Sequence, residues 1–319
     1  MKQSPILSVQ NLNVAFKSNT GLNEVLHGIS YNLFPNEILG IVGESGSGKS
    51  VASLAVMGLL PPKKSVISYG EIVFKSEDIL QYTQKELEVL RGQKIAMIFQ
   101  EPMSALNPSM CCGIQVEEIL LQHTSISKKA AKDEVIRLFT AVKIPAPKDT
   151  FEKYPHEISG GQQQRVMIAM AIACKPDVLI ADEPTTALDV TVQKDIITLL
   201  RTLQKESKMS VIFISHDLAL VSEIANRILV MYKGTIVERG DTKSVFKTPK
   251  EDYTKALIGA RPTLKSRLKL LPTISDFLSD SISKTVISNN ARTQKHKEIY
   301  SQAPLLEVIN LEKTYFSKA

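Results

Sequence analysis

The chain has 319 residues, 43% of them apolar, with a formal net charge of +6, an ordinary globular composition with material for a full core and up to two modest domains. Its Lys and Arg are spread among nearly as many acids, which excludes a nucleic-acid arm and leaves a solvated surface with mild affinity for anionic lipid headgroups. Met1–Leu7 lacks the apolar stretch of a secretory signal, the longest apolar run (Val166–Cys174) is too short to span a bilayer, and Cys111, Cys112 and Cys174 form no disulfide or metal framework, so a cytosolic chain is expected.

In chain order, Ser8–Phe16 and His27–Phe34 read as antiparallel strands around a polar loop at Ser18–Asn23. Ile38–Val42 is an apolar strand, followed by a Gly-rich turn and a helix from Ser50 to Leu60. Lys94–Phe99, Val178–Ala181 and Ser210–Ser215 are further short, apolar, unalternating segments, the pattern of strands covered on both faces of a largely parallel sheet. Between them Ala131, Val135, Leu138, Phe139 and Val142 keep helical spacing, so an inserted helical subdomain is expected at about 103–160. A main domain over 5–262 then gives way to a linker over 263–302, where no periodicity persists. Leu305-Leu306-Glu307-Val308-Ile309-Asn310-Leu311, followed by Tyr315, repeats Ile6-Leu7-Ser8-Val9-Gln10-Asn11-Leu12, followed by Phe16. The expectation is that 303–319 opens a second copy of the same domain.

Three motifs carry chemistry. Gly43-Glu44-Ser45-Gly46-Ser47-Gly48-Lys49-Ser50 fits G-x-x-x-x-G-K-[ST] between a strand and a helix, where backbone N–H groups and the helix N-terminus cradle phosphates. Lys49 is placed to reach the β- and γ-phosphates and Ser50 to put its hydroxyl on Mg²⁺. Val178–Glu183 is an apolar strand ending in two carboxylates: Asp182 as a holder of Mg²⁺, Glu183 as the group that orients and polarises the attacking water. Ser159-Gly160-Gly161-Gln162 opens a helix and offers a second anion site.

With its neighbours, that last motif, Ile158-Ser159-Gly160-Gly161-Gln162-Gln163-Gln164-Arg165, closely resembles the signature of ABC ATPases, with Ile158 where the family usually has Leu. The resemblance implies an α/β P-loop NTPase cassette, a mostly parallel sheet with an antiparallel β layer and a helical subdomain. It also implies that two cassettes close head to tail around two ATP molecules, Ser159–Gln162 meeting the nucleotide of the other. By the same resemblance Gln100 senses Mg²⁺ and the γ-phosphate, Asp189 contacts the opposite cassette, and His216 touches the γ-phosphate and supports Glu183. Phe16 sits where an aromatic stacks on adenine in the family, core packing being the competing reading.

Longer stretches, Phe99–Pro108, Ala181–Gln193 and Asp252–Leu257 followed by Pro262, resemble one branch, the oligopeptide and dipeptide permease ATPases. The implied partners are two transmembrane permease subunits, a second cassette, fused or separate, and indirectly a substrate-binding protein, with the chain peripheral on the cytoplasmic face of the membrane and no nucleic acid bound. Glutathione and nickel importers of the same branch are alternatives, as is a twin-cassette ATPase acting on ribosomes. Some members hold an iron–sulfur cluster on C-terminal cysteines; with no Cys after Cys174, none is expected here.

Overall fold

A computed structural model describes residues 4–19, 21–100, 105–186, 188–260, 267–279 and 285–314. The chain divides into two compact units, Met1–Ile258 and Gly259–Ala319. In the first, chain order gives β1 (Leu7–Ser18), β2 (Gly21–Leu33), β3 (Ile38–Val42), α1 (Lys49–Val56), β4 (Ser65–Phe74), β5 (Glu77–Asp78), α2 (Gln84–Leu90) and β6 (Ile95–Ile98). Among the described residues four helices follow, α3 (Cys112–His123), α4 (Lys128–Ala141), α5 (Pro147–Glu152) and α6 (Gly160–Ile172). The unit continues with β7 (Val178–Asp182), α7 (Val190–Ser207), β8 (Ser210–Ser215), α8 (Leu218–Ile224), β9 (Arg227–Tyr232), β10 (Thr235–Asp241) and α9 (Thr242–Lys247), with α10 (Asp252–Gly259) reaching its end.

The main sheet has six strands in the order β10-β9-β3-β8-β7-β6. Its β9-β3-β8-β7-β6 core is parallel, and only the β9–β10 hairpin at one edge is antiparallel. Every residue of β3, β7 and β8 is buried, which is why these segments read as continuous apolar runs: both faces are covered, leaving no solvent side to impose alternation. A second, antiparallel sheet runs β2-β1-β4-β5. Leu7, Val9, Leu12 and Val14 of β1 join Leu26, Ile29 and Leu33 of β2 and Ile72 of β4 in one core with Ile41, Ile180 and Ile214 of the main sheet, so the β layer packs on the face that also carries α1.

The polar stretch at Ser18–Asn23 is largely strand, the ladder continuing through Lys17↔Leu22 to Ser18↔Gly21. Its residues are exposed on both faces, so the pairing leaves no apolar alternation to read. β4, β9 and β10 also escape the periodicity reading.

The helices α3–α6 pack through Val116, Leu120, Val135, Leu138, Phe139, Phe151, Val166 and Ala169, all buried. At Gly113 α3 lies close against α5: a Cβ there would lie 2.1 Å from the Phe151 ring. Gly113→Ala gains up to about 1 kcal/mol of helix propensity but forces that ring out of place. The net expectation is a loss of about 1–3 kcal/mol, read as a lower urea midpoint; an unchanged midpoint would show that the ring repacks freely.

In the second unit the described residues hold two helices, α11 (Ile274–Leu278) and α12 (Asn289–Tyr300). α12 lies in the stretch read as lacking periodicity. Ser288 caps it by accepting from the Ala291 N–H, and it has no buried residue; without a buried face, nothing selects an apolar stripe. Over 303–314 no strand forms among the described residues, and Leu305, Leu306 and Leu311 are fully solvent-facing. The like-sequenced β1 is held by both β2 and β4, and a strand without such neighbours has no hydrogen-bond partners to hold it. Tyr315 lies outside the described residues.

Candidate functional site

β3 ends at Val42 in the middle of the sheet and the chain turns through 43–48 into α1. Gly48, the N-cap, has φ of 100°, and a Cβ there would lie 2.7 Å from Leu26 Cδ2 on β2, so only glycine fits both the left-handed turn and the close approach. Lys49 folds back into the loop and is 5% exposed. Its Nζ donates to the carbonyls of Gly43 (2.8 Å) and Glu44 (2.7 Å) and lies 3.4 Å from Ser47 Oγ. Burial lowers the Lys49 pKa from its ordinary value, opposed by the charges of Glu183, Asp182 and Glu44. Carbonyl partners therefore keep an ammonium group in place at the floor of a loop built of N–H donors.

The carboxylates stand two strands away, with β8 between β3 and β7. The registers Val42↔Ser215 and Asp182↔Ile214 bring the carboxyl ends of all three strands level. Asp182 is 4% exposed; its carboxylate is hydrogen-bonded to Ser50, while its Oδ1 has no hydrogen-bond partner among the described residues. Burial first, then the Glu183 charge, raises its pKa, against the Ser50 hydrogen bond and Lys49.

Glu183 has a left-handed backbone, φ 45°, uncommon for a non-glycine residue and held by its N–H donating to Ile214 O at 3.0 Å. Three side chains converge on one carboxylate oxygen, Oε2: Gln100 Nε2 at 3.2 Å, Thr186 Oγ1 at 3.0 Å and His216 Nδ1 at 3.0 Å. Gln100 follows β6 and His216 follows β8, the two neighbours of β7, so the sheet order itself gathers them. Because all three meet Oε2, Oε1 receives none of them and is left to accept a proton from elsewhere. Thr186 lies within the stretch Ala181–Gln193, and its contact depends on the left-handed turn at Glu183, which propensity does not signal.

Ser159 and Gln162 form a reciprocal cap at the start of α6: Ser159 Oγ accepts from the Gln162 N–H (3.3 Å) and Gln162 Oε1 from the Ser159 N–H (2.9 Å). Ser159 and Gly160 are exposed, Gly161 and Gln162 half-buried. Among the described residues no hydrogen bond joins these four to the loop at 43–48 or to Glu183. Asp189 caps α7 by accepting from the N–H groups of Thr191 and Val192, both 3.0 Å. Phe16 is half-buried against the core, two residues beyond Val14, whose partner Leu26 approaches Gly48. Residues 101–104 and Ala187, in the stretches resembling the permease branch, lie outside the described residues.

A buried lysine in a glycine-built loop between β3 and α1, with carboxylates at the end of β7 two strands away, defines the class as a P-loop NTPase. The profile described as ABC transporter matches residues 26–186. The dipeptide transport ATP-binding protein DppD of Bacillus subtilis (strain 168) is 48% identical over 259 residues, covering 81% of this chain and 77% of that protein. DppD of Haemophilus influenzae is 50% identical over 269 residues, covering 83% and 81%, and the oligopeptide transport ATP-binding protein OppD of Bacillus subtilis is 47% identical over 261 residues, covering 82% and 73%. Among solved structures, a dimeric ATP-binding cassette in a post-hydrolysis state with ADP and Pi aligns at a TM-score of 0.67 and 26% identity, covering 74% of this chain and 98% of that one. The Clostridium perfringens cassette cbiO1 aligns at 0.66 and 30%, covering 77% and 92%. The chain belongs to the ABC transporter family, as one of its ATP-binding, ATP-hydrolysing cassettes.

Proposed function

We propose that this cassette powers a membrane importer of dipeptides or oligopeptides, working on the cytoplasmic face of the membrane against two permease subunits. The observation that carries the cargo class is the 47–50% identity to dipeptide and oligopeptide transport ATP-binding proteins, sustained over more than four-fifths of this chain. No helix among the described residues is long and apolar enough to cross a membrane. An apolar groove lined by Met97, Phe99, Ala105, Ile119 and Met170, with Phe99 next to Gln100 in the chain, supports a permease contact there.

In this reading the loop at 43–48 and the start of α1 hold the phosphates through backbone N–H groups, and Lys49 exchanges its carbonyl partners for phosphate oxygens. Glu183 accepts a proton from the attacking water at Oε1, while Gln100, Thr186 and His216 hold its Oε2. A magnesium ion fits this site: Asp182 Oδ1 is buried and unpartnered beside the Ser50 hydroxyl, an oxygen donor pair suited to a hard cation. When bound it would neutralise charge on the phosphates.

Ser159–Gln162 are assigned to the nucleotide of a second cassette, which the exposure of Ser159 and Gly160 at a helix start supports. Val190, beside Asp189, is 78% exposed, which suits a face that closes on a partner. The repeat at Leu305 supports a second cassette fused to this one, with 263–302 as the linker.

The test is purification of the tagged full chain from detergent-solubilised membranes of its host, followed by reconstitution. Two co-purifying permease subunits that move a labelled dipeptide on ATP addition are expected; recovery of ribosomes without a permease would overturn the transport reading.

A further inference from the structure

The phosphate loop is braced from behind by segments far along the chain. At Gly43 a Cβ would lie 2.2 Å from the Met231 carbonyl, so the loop runs directly against β9. Ser47 O accepts from the Gly234 N–H at 3.1 Å, at the turn between β9 and β10. The third brace is a side chain: the Glu44 N–H donates to Tyr253 Oη at 3.1 Å, and the same hydroxyl is hydrogen-bonded to the Glu44 carboxylate.

Tyr253 is itself firmly seated. It is 5% exposed, and its ring packs on Tyr232, the last residue of β9, with centroids 4.2 Å apart. The entry to α10 is fastened to β10 by the Glu238 carboxylate, which accepts from the N–H groups of Lys250 (2.9 Å) and Glu251 (3.2 Å). Burial pushes the Tyr253 hydroxyl up to about 12, so across the physiological range it stays a neutral group able to accept from one partner and donate to another.

We infer that Tyr253 is a positioning residue for the phosphate loop. By holding the Glu44 N–H turned toward α10, it fixes the point from which the chain curls through Ser45, Gly46 and Ser47 to present its remaining N–H groups at the start of α1. It touches no nucleotide. Its effect is on how much ordering the loop must undergo when ATP binds, and pre-ordering of a binding loop is expressed as affinity. The inference makes ATP affinity depend on α10, and it rests on the reading of 43–50 as the phosphate-binding loop.

Tyr253→Phe keeps the ring and its packing while removing the acceptor from the Glu44 N–H. The expected result is a rise of about 5- to 20-fold in the ATP Kd, and a matching rise in KM, the fold-change of leaving the half-buried Glu44 N–H without its acceptor. The loss falls on KM rather than kcat, which a merely structural weakening would not do. An unchanged Kd in a folded Tyr253→Phe protein would overturn the inference. A measurement on the unmodified full chain guards against a variant that fails to fold: residue-resolved hydrogen exchange without nucleotide. The Glu44 amide is expected to be protected at least 100-fold relative to that of Ser45, and fast exchange at Glu44 would also overturn the inference. Lys49→Ala separates the two levels: if it leaves ATP affinity intact the phosphate-loop reading fails, whereas a Lys49→Ala loss with unchanged Tyr253→Phe affinity removes Tyr253 alone.

Discussion

Glu183→Gln is expected to lose ATP turnover by about 10²- to 10⁴-fold, the range of a positioned general base, while ATP binding survives. The substitution is nearly isosteric, and the glutamine amide oxygen can take the place of Oε2 in accepting from Gln100, Thr186 and His216, so the gathering of three strand ends is preserved. What disappears is the basic oxygen on the other side of the carboxylate. Because binding continues without hydrolysis, the variant should accumulate with ATP bound, and any two-cassette closure driven by ATP should persist. Phosphate release together with a direct binding measurement checks this. Turnover within about two-fold of the parent would remove Glu183 from the role of base, whatever its hydrogen bonds.

The site was legible where its chemistry is contiguous in sequence. The loop at 43–50 needs glycines, a lysine and a hydroxyl in fixed order, and Asp182 and Glu183 close an apolar strand, so both motifs announce position and purpose together. The convergence on Glu183 was legible only in part: Gln100 and His216 each follow a strand, but their adjacency comes from the order β8-β7-β6, which periodicity alone does not give. Thr186 depends on a left-handed turn at Glu183, and Tyr253 on an approach to Glu44 from the far end of the domain, for neither of which local sequence carries a signal.

In the fold, β3, β7 and β8 were readable because burial on both faces makes a strand uniformly apolar. The outer ends of β1 and β2 and the helix α12 were not, since hydrophobic periodicity is the imprint of a buried face and these segments have none.

Lys49→Ala should lower ATP affinity by roughly 100-fold, since each charge-assisted hydrogen bond removed from a phosphate is worth about 1.5–3 kcal/mol and the lysine can supply more than one. The surroundings sharpen the effect. Asp182, Glu183 and Glu44 all act on Lys49 through their charges, so without the ammonium the incoming phosphates meet a site whose remaining fixed charges repel them. Lys49→Met should lose nearly as much as Lys49→Ala, because it keeps the aliphatic stem and removes only the charge; retained affinity in the Met variant would assign the lysine a packing role instead. Titration of a fluorescent ATP analogue measures both. Binding precedes hydrolysis, so Lys49→Ala combined with Glu183→Gln should follow Lys49→Ala in affinity and Glu183→Gln in turnover, and a double variant that regains affinity would mean that Lys49 serves to offset Glu183 rather than to hold phosphate.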